Sequence, residues 1–213
     1  EGFSAAALAV ITSGYFLGFL SGARLTPLLI QRVGHVRVFA ALGSFMSAGL
    51  IAFTLLAEPW VWTLLRVLVG FCMSGVYVAA ESWLNNASTN ATRGKVLSAY
   101  MISQTLGIIG AQGLLTLGDA ATAGLFIGAS ILVSISFAPI LLSVAPAPTV
   151  EVARPMSLRG LFSGSPLGTV GIFLLGSIYA TQSGMGAVFG SQIGMTASEV
   201  ALFVAMLFAG ALV

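Results

Sequence analysis

The chain has 213 residues, 58% of them hydrophobic and only 7% charged, with a formal net charge of +2. A soluble domain carries about 25% charged residues, so this composition lacks the polar shell that a water-exposed fold of this size needs. No basic run offers a footprint for nucleic acid, and the single cysteine, Cys72, excludes an internal disulfide.

Seven apolar stretches follow one another: residues 3–30, 36–56, 61–83, 96–117, 123–142, 167–189 and 200–213. The first six reach the roughly 20 residues that a helix needs to cross the hydrocarbon core. The seventh stops in mid-run at Val213. These lengths predict an all-α integral membrane bundle with about seven transmembrane helices, as a piece of a longer chain extending before Glu1 and after Val213.

The connections carry charge in strict alternation. Arg32 and Arg37 lie in the first, Arg93 and Lys95 in the third, and Arg154 and Arg159 with Glu151 in the fifth. The second, fourth and sixth carry only Glu58, Asp119 and Glu199. Six of the eight basic residues thus fall in every second connection, and none in the alternate set. Positive residues mark cytoplasmic loops, so the first stretch is expected to run from outside to inside.

Only the fifth connection is long. Its Ala-Pro-Ala-Pro at 145–148 and Arg-Pro at 154–155 predict an extended cytoplasmic linker rather than a helix. The expected organisation is a membrane unit over 1–143, a linker over 144–166 and the start of a second unit over 167–213.

Within the stretches, Gly14, Gly18 and Gly22 recur every four residues, and Gly107, Gly110, Ala111 and Gly113 form a second small-residue surface. Such strips let helices approach closely in lipid, whether for fixed packing or for a sliding contact. Arg66 and Glu81 are ionisable groups inside the third stretch. At about 100° per residue, Arg66, Gly70, Met73, Tyr77 and Glu81 share one broad face. An arginine at mid-membrane costs about 2.5–3.5 kcal/mol on insertion scales, so it should face protein or water. Arg24 is placed to reach Glu81 or to snorkel to the inner surface.

Polar uncharged residues form further stripes. Ser98, Thr105 and Gln112 recur every seven residues, flanked by Gln104, while Tyr179, Thr181, Gln182 and Ser183 precede Gly184 and Gly186. Both groups suit a cavity lining or interhelical hydrogen bonds. The only histidine, His35, falls in a connection and is expected to be a basic loop residue. With no nucleophile–base pair and no metal-ligand cluster, the expectation is a non-enzyme without cofactor or metal. No ring of carbonyls or like charges suggests a channel filter. Cys72 and the methionines are expected to pack or to face lipid.

The segment from Leu29 to Arg37, Leu-Ile-Gln-Arg-Val-Gly-His-Val-Arg, resembles the cytoplasmic loop motif of the major facilitator superfamily, Gly-x-Leu-x-Asp-Arg-x-Gly-Arg-Lys/Arg. Arg32 and Gly34 match it; Pro27 and Gln31 replace its Gly and Asp. Arg66-Val-Leu-Val-Gly70 is similar to that superfamily's helix 4 pattern. Ala80-Glu-Ser-Trp-Leu-Asn85 followed by Thr92-Arg-Gly-Lys-Val-Leu97 looks closer still to its YcaD-like branch. The resemblance spans the whole chain, as helices 2 to 8 of an expected twelve. It implies a secondary transporter of the inner (plasma) membrane, with two six-helix halves alternating access to a central cavity. The expected partners are a small organic solute, the lipid bilayer and protons as coupling ion. Arg66, Tyr77, Gln112 and Gln182 are the candidate cavity residues, and Arg32, Gly34, Arg37 and Glu81 the candidate gate. A channel-like protein or a non-transporting scaffold is the alternative.

Overall fold

The computed structural model describes residues 3–116, 118, 122–142 and 157–210. Among these residues there are eight helices and no strand: α1 (Ala5–Val33), α2 (His35–Ala52), α3 (Pro59–Ala87), α4 (Arg93–Leu115), α5 (Gly124–Leu141), α6 (Leu158–Gly164), α7 (Pro166–Gln192) and α8 (Ala197–Ala209). Asp119, Glu151, Arg154 and the run at 145–148 lie outside the described residues.

Four helices, α1, α2, α3 and α5, are long and apolar enough to cross a membrane, and α6 with α7 makes a fifth if that pair, bent by 119°, is one span. At 23 residues, α4 extends about 34 Å, which is length enough. It falls short in apolarity because Arg93 and Lys95 open it and Gln104 and Gln112 interrupt it. The described part of α8 is only 13 residues long.

The linker expectation needs one correction, since α6 forms inside the stretch read as extended. Its proline-rich part ends at Pro155, and Ser157 then caps the helix by accepting the Gly160 N–H at 3.1 Å. Ser165 caps α7 in the same way, with Pro166 in the first turn, where the missing N–H costs nothing.

The chain divides into two compact units, Glu1–Ala99 with Asp119–Val150 and Tyr100–Gly118 with Glu151–Val213. In the first, α1 packs most extensively on α3. Gly14, Gly18 and Gly22 lie against Thr63, Val67 and Phe71 in turn, so the two helices run parallel in a constant register. The fit is reciprocal, because a Cβ on Gly70 of α3 would overlap the Tyr15 carbonyl of α1. The expected glycine strip of the first stretch is therefore a backbone-to-backbone seam.

Helix α2 runs antiparallel to both α3 and α5. Gly75 of α3 receives Leu42, and Leu68 and Val69 approach Gly49. On the other side the Phe137 ring of α5 lies over Gly43 and stacks at 4.3 Å from Phe39. These pairings enclose a core of Ile30, Val38, Phe39, Leu42, Met46, Cys72, Ala79 and Phe137. Cys72 is fully buried there, which settles it as a packing residue.

In the second unit α7 and α8 form an antiparallel pair. Gly190 meets Val200, Phe189 meets Phe203 and Tyr179 meets Phe208. Thr196 and Glu199 start α8 with a reciprocal capping box.

Candidate functional site

Arg66 lies seven residues inside α3, one turn below Trp62. Phe3 and Phe53 both meet the Trp62 ring edge-on at 5.3 Å, and Phe126 stacks on Phe53 at 5.6 Å. Trp62 is fixed by donating its indole N–H to the Leu56 carbonyl at 3.0 Å. The Arg66 guanidinium lies 6.0 Å from the centre of the Phe53 ring, within cation–π range. The Arg66 side chain is exposed, and among the described residues it takes part in no ion pair and no hydrogen bond.

Tyr77 lies three turns further along α3, half-buried, with its ring edge-on to Phe19 of α1 at 6.3 Å. Tyr77 thus reaches α1 across the seam that Gly70 allows, Arg66 lies by Phe53 at the end of α2, and Glu81, the last residue of the anticipated face, is exposed.

The segment between the first two helices is built differently from its expected form. Gln31–Arg37 is not a loop: α1 continues to Val33, α2 begins at His35, and Gly34 alone separates them. Gly34 has φ 86° and ψ 162°, a conformation open essentially only to glycine. Arg32 occupies the last turn of α1, where the helix dipole favours a cation. Arg32, Arg37, Glu81 and Arg24 are all exposed, and no ion pair joins Glu81 to any of them in this structure.

His35 departs most from expectation. It is only 2% exposed, not a solvated loop residue. Its Nε2 is 3.0 Å from Ser82 Oγ of α3. Ser82 Oγ also lies 3.2 Å from the Ala79 carbonyl, and which of the His35–Ser82 pair donates depends on the imidazole tautomer. His35 Nδ1 is buried with no partner among the described residues, as is Thr26 Oγ1.

A second cluster gave no local signal. Ser47 of α2 hydrogen-bonds Ser130 at 2.7 Å and Ser134 at 2.9 Å, both on α5, and Ser130 donates to the Ser47 carbonyl at 3.0 Å. Each hydroxyl bonds across the helix pair, which makes this a clasp.

In the second unit, Gln182 and Thr181 line a groove of about 480 Å³ between α7 and α8, with Met185, Phe189, Gln192, Phe203 and Leu207 among its walls. Gln112 is half-buried on α4. Its neighbours in the polar stripe are engaged: Gln104 donates to the Tyr100 hydroxyl at 2.7 Å, and Thr105 to the Met101 carbonyl. None of Gly107, Gly110 and Gly113 has a neighbour that a Cβ would meet within 4 Å. Among the described residues no group of His, Cys, Asp or Glu could hold a metal ion.

The model of the "sugar (and other) transporter" family matches residues 3–150. The chain is 24% identical over 206 residues to the uncharacterized MFS-type transporter YcaD of Escherichia fergusonii, covering 96% of this chain and 54% of that protein. It is 33% identical over 98 residues to the YcaD of an Escherichia coli strain, and 31% over 98 residues to that of Salmonella enteritidis. Each of those two shorter alignments covers 46% of this chain and 26% of the relative. The chain therefore spans about half the length of the Escherichia fergusonii relative. No solved structure matches it.

Proposed function

The chain belongs to the sugar (and other) transporter family within the major facilitator superfamily, and from that membership we propose that the whole protein is a secondary active transporter. It carries a small organic solute across the inner (plasma) membrane by alternating access, with the proton gradient as driving force. Arg66 supplies the fixed charge of the cavity, and Tyr77, Gln112 and Gln182 its polar contacts. Arg32, Gly34, Arg37 and Glu81 form the cytoplasmic gate. Residues 1–143 contribute to one membrane half and 167–213 to the other, joined by the linker.

Arg66 is the observation that carries this reading. An ionisable residue inside a span is by default a candidate for a substrate or ion pathway, and this one has no carboxylate partner among the described residues. The seam of α1 and α3 adds support, since close backbone contact along a glycine strip suits helices that shift together.

The test is uptake by the full-length protein in liposomes, using a panel of radiolabelled solutes with and without an imposed pH gradient. Saturable uptake with counterflow, stimulated by the gradient, is the expected result. Flux proportional to concentration would indicate a channel, and no flux a scaffold.

A further inference from the structure

We propose that the solute held at Arg66 is an organic anion, a carboxylate attached to an apolar or aromatic body, bound through the N–H groups of the guanidinium beside Phe53. This rests on the transport reading and narrows its substrate class.

Three observations carry it. First, the guanidinium has no carboxylate partner among the described residues. The acids of α3 and its cap are remote. Glu58 precedes Arg66 by eight residues, about 12 Å along the axis, and Glu81 follows by fifteen, about 22 Å. Second, what holds Arg66 uses up none of its donors. A ring quadrupole attracts the cation, whereas the five N–H groups have no acceptor among the described residues. A planar fork of this kind matches a carboxylate bidentately, with short charge-assisted bonds. Third, the surroundings are aromatic: the Phe53 ring beside Arg66 packs with Trp62 and Phe126. A neutral, hydroxyl-rich solute would leave the charge uncompensated at this depth. An anion with an apolar body both neutralises it and packs on the rings.

The experiment uses the full-length protein in liposomes at pH 7.5, with protein-free liposomes as background. Radiolabelled hippurate, an aromatic carboxylate, is compared with its neutral amide and with glucose. Hippurate is expected to enter saturably and at least tenfold faster than either neutral solute. Arg66→Gln should abolish that difference, while Arg66→Lys should retain charge selectivity with KM raised several-fold, because the point charge replaces the fork. Size-exclusion profiles of both variants establish that they fold. Uptake of the amide or glucose as fast as hippurate, or hippurate uptake unchanged in Arg66→Gln, overturns the anion assignment and leaves the transport reading standing. No saturable hippurate uptake while a neutral solute of the wider panel enters saturably overturns the anion assignment alone, and no saturable uptake of any solute in that panel overturns both.

Discussion

Gly18 of α1 and Val67 of α3 meet backbone to backbone, so that a Cβ added at residue 18 would fall on the Val67 carbonyl oxygen. The obstacle is main chain, which cannot rotate aside as a flexible side chain can. Gly18→Ala should therefore push the two helices apart, costing about 1–3 kcal/mol as overpacking does and lowering the Tm of the detergent-purified protein. Gly94→Ala, at a position with nothing within 4 Å, should change Tm little. Equal melting of the two variants would mean that the seam is loose.

The His35–Ser82 pair gives a second expectation. His35 fills a site that is 2% exposed, at the position where the superfamily's loop pattern carries an arginine. Restoring that arginine places a fixed charge where only Ser82 Oγ and the Trp83 ring, 6.1 Å away, are at hand. His35→Arg should lower Tm more than His35→Gln, which keeps a neutral donor. Ser82→Ala should cost about 1 kcal/mol, the usual net value of one hydrogen bond. A stable His35→Arg protein would show that the side chain escapes to the surface and that the burial is not needed.

Sidedness can be read by labelling. Cys72 is fully buried, and Cys72→Ala, with any cysteine outside these 213 residues also replaced, gives a background without a native thiol. Ala57 precedes α3 and Asn90 follows it, both exposed. A cysteine at Ala57 should react with an impermeant thiol reagent added to intact cells, whereas one at Asn90 should react only after the membrane is opened. The reverse pattern would invert the orientation of every helix.

How much of this was legible depends on whether the signal is local. The seam was, because glycines four apart must share one helix face whatever they pack on. The face of Arg66 and Tyr77 was legible by the same periodicity. His35 was not: nothing near it in sequence says that it is buried. Burial comes from the antiparallel register of α2 and α3, which also sets Leu42 against Gly75 and carries His35 to Ser82, 47 residues away. The serine clasp is hidden for the same reason, since its partners are 83 and 87 residues apart. Helix α6 was missed because the prolines up to Pro155 dominated the reading of the linker, while the Ser157 cap that starts the helix occupies a single residue.

The gate hypothesis leads to the last prediction. Arg32 ends α1, Arg37 lies in the first turn of α2, and Glu81 lies near the inner end of α3. All three are exposed and none is paired with another here, so any pairing belongs to a different state of the cycle. An exposed pair contributes only about 0–1 kcal/mol, whereas one closed under a gate would be partly desolvated and matter more. Glu81→Gln should then shift the balance of states and slow turnover, with Glu81→Asp doing less. Gly22 is a poor reporter, since a Cβ there would sit 2.5 Å from the Phe71 carbonyl oxygen. Its neighbour Ala23 is exposed, and a cysteine there should become more reactive from the cytoplasmic side in Glu81→Gln. Unchanged reactivity together with unchanged transport would leave Glu81 as an interfacial anchor and remove it from the gate.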